Sequence, residues 1–274
     1  MVKSDSHLSA SPASRPGPSQ RLVVLGASNI ARGLASLVGV AQQELSADLD
    51  FLSASGHGRS YGLATRIPFR GLGSIVESGL WEGLALRPRL PTTALITDVG
   101  NDILYGQDAE QISDWVAVCL ERLAEFAPRL VLTELPLEVF RHVSPAKFLF
   151  FRTLMFPKSR LQLDRALATA EELNLRIQDL AARFGARCVR PASRWYGFDP
   201  IHIRYTAYEA AWRTMLAGDG SSEASLAPTP IPWSPARWCT LKLLPPHERT
   251  ICGWVQRRAQ PALTLPDGLR VSLY

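Results

Sequence analysis

Arg21–Ser28 reads RLVVLGAS: the apolar run Leu22–Leu25 passes into a Gly-Ala-Ser turn, and helical spacing follows from Ile30 to Glu44. A short apolar run bounded by a turn and followed by a helix opens a strand–helix unit whose strand is buried on both faces. The same signature recurs along the chain. Strands are expected at Leu22–Gly26, Leu49–Ser53, Ala94–Val99, Leu130–Leu135 and Ala186–Val189. Further helices are expected near Leu72–Leu84, Ala109–Phe126, Arg160–Phe184 and Tyr205–Ala217. In the Arg160–Phe184 segment, Leu163, Leu167, Ala170, Leu173, Ile177, Leu180 and Phe184 recur every three or four positions, one face of a helix. Alternation of this kind predicts an α/β fold, a three-layer α/β/α sandwich around a five-stranded parallel sheet. In such sheets ligands bind beyond the carboxyl ends of the strands.

Three of those strand ends carry polar residues with chemical use. Ser28 stands where the first strand hands over to its helix. Leu52–Gly62, LSASGHGRSYG, is a strand end followed by a glycine-rich loop, and Leu95–Asp102, LITDVGND, ends in Gly-Asn-Asp. Far along the chain, Asp199-Pro200-Ile201-His202 sets a carboxylate three residues ahead of a histidine. Alone, Ser28 suits a helix N-cap and Asn101 a turn residue. Together they suit other work. A serine is a poor nucleophile until a base takes its proton, and the base needs a third group to fix its tautomer. Ser28, His202 and Asp199 can fill those three roles.

Taken in order, GASN with Ser28, SGHG with Gly56, VGND with Asn101 and DPIH with Asp199 and His202 resemble the SGNH (GDSL-type) hydrolases. The resemblance spans roughly Arg21 to Gly218 and implies a flavodoxin-like sandwich. It also implies catalytic Ser28, Asp199 and His202, with an oxyanion hole made by the N–H groups of Ser28 and Gly56 and the Asn101 amide. Gly58 is the alternative to Gly56. His57, Gly58 and Arg59 are candidates to line the substrate site. The Asp usual before the family serine is Ala27 here, and Gly100-Asn101 lacks the family's intervening residue. The implied activity is cleavage of a carboxylic ester through an acyl-enzyme, with no metal or cofactor. The same residues can pass the acyl group to an alcohol, as an acyltransferase does. A non-catalytic ligand-binding protein of the same fold is the reading from another class.

Composition sets the remaining bounds. A chain of 274 residues with 46% hydrophobic content and a net charge of +5 describes an ordinary globular protein. Its 30 Lys and Arg are scattered rather than blocked, which argues against a nucleic-acid partner. Cys119, Cys188, Cys239 and Cys252 stand apart, with no metal-ligand or disulfide spacing. Residues 1–20 are polar and rich in Ser and Pro, read as a disordered tail without a secretory signal, so the cytoplasm is the expected location. No apolar run reaches the ~18 residues of a transmembrane helix.

Two segments fall outside the strand–helix scheme of the 21–217 hydrolase domain. Pro136–Ser159 is apolar nearly all round at Phe148–Phe156 and carries Arg141, Lys147, Arg152 and Lys158. A long insertion of this kind reads as a lid, with Phe150 and Phe151 walling a pocket for a small-molecule or lipid-like ester. Core packing, homo-oligomer contact and peripheral membrane contact are its other readings. Residues 218–274 read as a linker, Gly218–Pro230, and a C-terminal extension packed on the main domain. The extension holds Trp233, Trp238 and Trp254 and a hairpin signal at Asp267-Gly268.

Overall fold

β1 (Gln20–Leu25) is buried from Arg21 onward, and its side chains divide by parity between two cores. Leu22 and Val24 face one core, Val23 and Leu25 the other. All four are fully buried, each worth about 1.5–3 kcal/mol of transfer free energy. In a computed structural model, which describes residues 17–67, 70–157, 159–218, 229–231, 234–251 and 254–274, this strand lies at the centre of the molecule. Residues 1–16 of the expected tail, residues 219–228 of the expected linker, Lys158, Trp233 and Cys252 lie outside the described residues.

From β1 the chain passes through α1 (Ser28–Glu44) to β2 (Leu49–Ala54), then through a short hairpin, β3 (Thr65–Ile67) and β4 (Arg70–Leu72), to α2 (Leu80–Ala85). It continues as β5 (Thr92–Ile96), a 3₁₀ helix Val99–Tyr105, α3 (Ala109–Ala124), β6 (Arg129–Thr133), α4 (Leu137–Arg141) and α5 (Pro145–Met155). After α6 (Leu163–Phe184), β7 (Arg187–Val189) and α7 (Tyr208–Leu216) come α8 (Pro235–Lys242), β8 (Glu248–Ile251), β9 (Trp254–Arg257), β10 (Leu263–Thr264) and β11 (Arg270–Leu273). The main sheet runs β10-β11-β2-β1-β5-β6-β7, parallel except where β10 meets β11. Its two faces are covered by α1, α7 and α8 and by α2, α3 and α6. The five parallel strands expected from the sequence are present. To one side of β1 the chain runs to β2, and to the other side to β5, β6 and β7. The crevice where that direction reverses, at the carboxyl ends of β1 and β5, is where such sheets bind ligands.

Several details differ from the sequence expectation. The helix expected over Leu72–Leu84 shortens to Leu80–Ala85, because Gly71, Gly73 and Gly79 break it and the Ser74 hydroxyl takes the Glu77 N–H (3.1 Å) in a local turn. The Pro136–Ser159 insertion is helical, with Ser144 capping α5 through the Lys147 N–H at 3.3 Å. The C-terminal extension enters the fold: β11 lies parallel to β2 as a strand of the main sheet, and β8 pairs with β4 in a second, four-stranded sheet. The Asp267-Gly268 turn joins β10 to β11, with Gly268 in the left-handed region at φ 89°. Among the described residues no helix is long and apolar enough to cross a membrane.

A buried charge cluster clamps the far end of the sheet. The Arg21 Nε donates to Asp50 at 2.8 Å, with both side chains 3% exposed or less. Arg87 donates to the other oxygen of Asp50 and reaches Ser272 of β11 at 2.6 Å, so β1, β2 and β11 are tied together. Asp50→Ala strands Arg21 in the core without its counter-charge. The expected loss is about 3–5 kcal/mol of unfolding free energy in urea titration. A loss under 1 kcal/mol would mean water reaches the arginines after all.

Candidate active site

The turn after β1 is shaped by close approach. A Cβ on Gly26 would sit 2.9 Å from Ile30 and 3.3 Å from the Thr97 carbonyl, so only glycine lets β1 pass this near to the end of β5. Two residues later Ser28 begins α1, buried to 8% exposure. Asp98, just past β5, adopts a left-handed conformation at φ 59°, which Asp tolerates better than most residues. One of its carboxylate oxygens accepts the N–H groups of Ala27 and Asn29, both at 3.0 Å. The other accepts the Asn29 side-chain amide at 2.8 Å. These contacts flank the Ser28 N–H, which has no acceptor among the described residues.

Asn29 carries the order on to the Asp199–His202 loop. Its side-chain oxygen accepts the Ile203 N–H (2.9 Å) and the Tyr208 hydroxyl (3.3 Å), and its amide donates to the Ile201 carbonyl (3.3 Å). The loop so held brings His202 Nε2 to 2.9 Å from Ser28 Oγ and His202 Nδ1 to 2.6 Å from Asp199. The second Asp199 oxygen accepts the N–H groups of Ile201 (2.9 Å) and His202 (3.2 Å), while Arg32 of α1 approaches the first at 3.5 Å. Burial acts to raise the Asp199 carboxyl, but the hydrogen bond and charge of His202 and those two N–H groups outweigh it and hold the carboxyl below its ordinary value. The structure therefore brings Ser28, His202 and Asp199 into one hydrogen-bonded line.

The other sequence-derived residues divide. Asn101 sits on the 3₁₀ helix after β5 and donates one amide hydrogen to the Arg59 carbonyl at 3.1 Å, which leaves its second hydrogen for another acceptor. Gly56 follows β2, whose Ala54 pairs with Leu25 of β1, so it stands beside the Ser28 turn. Gly58 is a turn glycine at φ 66°, its carbonyl held by the Tyr105 hydroxyl at 2.6 Å. Arg59 turns away from the site. It is 4% exposed, and its guanidinium donates to the main-chain oxygens of Gly73 (3.1 Å), Ser55 and Ser74 (3.4 Å each) and Tyr274. His57 is exposed on the loop. A largely apolar cavity opens from Ser28 and Asn101 and runs beneath α5, walled by Val99, Leu135, Phe140, Phe148, Phe151 and Leu167. Phe150 does not line it; consecutive helical residues point about 100° apart, and Phe150 faces outward at 56% exposure while Phe151 is 7% exposed. Among the described residues no group of His, Cys, Asp or Glu is arranged to hold a metal.

No family model and no curated protein matches the chain. Solved structures do. A carbohydrate acetylesterase from Sinorhizobium meliloti aligns with a TM-score of 0.52 at 15% identity, over 72% of this chain and 96% of that one. An aryl esterase from M. smegmatis aligns with a TM-score of 0.51 at 15% identity, over 72% and 96%. The chain shares the α/β fold of these two esterases.

Within this fold, Asp98 and Asn29 are the residues of the candidate site that sequence reasoning did not find. Asp98 lies in the quoted LITDVGND block, yet its partners are some 70 positions away, at Ala27 and Asn29. Asp102 of the same block reaches back to the glycine-rich loop. It is fully buried, accepts the Tyr61 N–H at 2.9 Å, and has a second oxygen with no partner among the described residues. It pins the glycine loop against the 3₁₀ helix that carries Asn101. Burial pushes its carboxyl up to about 6, against hydrogen bonds from Ser60 and Tyr61.

Because the folded value lies above the ordinary 3.8, the stability Asp102 contributes is present below that pH and is lost as pH rises through about 6. The gap corresponds to about 3 kcal/mol. Asp102→Asn keeps an acceptor for Tyr61 without the charge. Urea unfolding at pH 4 and pH 8 should show wild type losing about 2–3 kcal/mol relative to Asp102→Asn over that interval. A constant difference across the interval would show that the carboxyl is already ionised at pH 4.

Proposed function

We propose that this protein is a serine hydrolase that cleaves carboxylic esters through an acyl-enzyme. The observation that carries the reading is the line Ser28 Oγ, His202 Nε2, His202 Nδ1, Asp199, with links of 2.9 and 2.6 Å, at the mouth of an apolar cavity. In this reading Ser28 attacks the ester carbonyl while His202 Nε2 takes its proton. Asp199 accepts the other ring N–H and stabilises the imidazolium that forms. His202 then gives the proton to the departing alkoxide, and a water deprotonated by the same nitrogen releases the acid.

Negative charge on the tetrahedral oxygen needs donors that are already in place. The Ser28 N–H at the start of α1, the second hydrogen of the Asn101 amide and the Gly56 N–H are assigned that role. The dipole of a 17-residue helix adds to the first. Each donor of this kind contributes ~2.7–4 kcal/mol to the transition state. The aryl esterase and acetylesterase that share the fold support ester chemistry.

Ser28→Ala should abolish covalent labelling by a fluorophosphonate probe and esterase turnover while the circular dichroism spectrum stays that of wild type. Full turnover in folded Ser28→Ala would remove the nucleophile assignment. In this reading the acyl group lies in the space under α5, where each buried methylene contributes ~0.8 kcal/mol. Phe151→Ala should therefore lower kcat/KM for p-nitrophenyl esters progressively with acyl length and leave the acetyl ester nearly untouched. A uniform loss at every length, with a lower Tm, would make Phe151 a core residue only.

A further inference from the structure

α5 is apolar on both of its faces. Phe148 and Phe151 turn inward to wall the cavity, while Leu149, Phe150 and Leu154 stand 51%, 56% and 67% exposed on the other side. A helix apolar all round is ordinarily buried, and single exposed apolar residues are common whereas contiguous ones call for a partner. The patch does not stop at the helix. Phe198, 75% exposed, lies 5.7 Å from the Phe151 ring, and the Lys147 ammonium sits 4.9 Å over it. Phe198 is the residue before Asp199, so the exposed surface borders the triad loop.

Along the chain from Val139 to Leu163 the charges have one sign: Arg141, Lys147, Arg152, Lys158 and Arg160, with no Asp or Glu. Arg141 is paired with Glu171 at 2.7 Å, Arg152 lines the cavity and donates to the Leu161 carbonyl at 2.8 Å, Arg160 is exposed, and Lys158 is outside the described residues. An exposed apolar helix face beside Lys147, in a stretch without acidic residues, is one that a membrane surface can cover, with long basic stems reaching toward headgroups. A symmetric contact with a second copy would set the same cations against one another. We infer that the outer face of α5, with Phe198, docks the protein on an anionic lipid surface. Resting on the ester-hydrolase reading, the inner face of the same helix then leads an acyl chain from that surface to Ser28.

Flotation separates docking from catalysis. Full-length Ser28→Ala protein, which leaves the lipid uncleaved, is mixed with vesicles of equimolar phosphatidylglycerol and phosphatidylcholine or of phosphatidylcholine alone. The expected result is flotation with the anionic vesicles, weakened by salt, and at least about tenfold weaker binding after the added pair Leu149→Ser and Leu154→Ser. With Ser28 retained, that pair should react with the fluorophosphonate probe as wild type does, which shows an intact fold. Flotation with neither vesicle, equal flotation with both, or a Leu149→Ser/Leu154→Ser protein that floats unchanged would overturn the inference. So would a dimer that these changes convert to monomer by light scattering. Vesicle binding as expected without probe labelling at Ser28 would leave the docking surface standing and remove the hydrolase reading.

Discussion

The Asp98 carboxylate, held just past β5 in a left-handed turn, is the contact on which the site depends. Through two N–H groups it fixes the turn that presents Ser28, and through the Asn29 amide it orients the side chain that receives the His202 loop. A serine–histidine hydrogen bond between residues 174 positions apart is thus set by one carboxylate shared between neighbouring strands. Left-handed backbone at a non-glycine residue costs of order 1–3 kcal/mol, and three hydrogen bonds to a charged acceptor offset that cost.

The same sharing explains the position of the pocket. β1 and β5 are nearest neighbours in the sheet but are separated by more than sixty residues, so the chain leaves their carboxyl ends in opposite directions. That divergence leaves a crevice beyond those ends. Ser28 and Asn101 enter it from either side, and the insertion α4–α5 roofs it.

Ser28 and Asn101 could be read from the sequence because each stands at the end of an apolar run, where the parallel sheet gathers strand ends along one edge. Asp199 and His202 follow no strand directly and were legible from their three-residue spacing and from the resemblance of the four blocks. Asp98 and Asn29 did not announce themselves, since their partnership is a contact between strands and has no spacing along the chain. The Pro136–Ser159 segment hid its helices for a different reason. With one face on the cavity and one exposed, both apolar at Phe148–Leu154, it lacks the contrast that marks a helix. Arg59 misled because its place in a motif loop says nothing of its direction, which is inward to main-chain oxygens. The C-terminal hairpin signal at Asp267-Gly268 was legible; the strand it pairs with was not.

β11 completes the sheet beside β2 although some 215 residues separate the two in sequence. Loop closure over such a distance is slow compared with local strand–helix assembly. On a ribosome, β1, α1 and β2 emerge early and can pair, while the outer edge of β2 keeps its N–H and C=O groups unmatched until Arg270–Leu273 has been made. During that interval the nascent protein exposes a sheet edge of the sort that recruits other strands. The late arrival of β11 therefore makes β2 the edge most in need of a chaperone during synthesis.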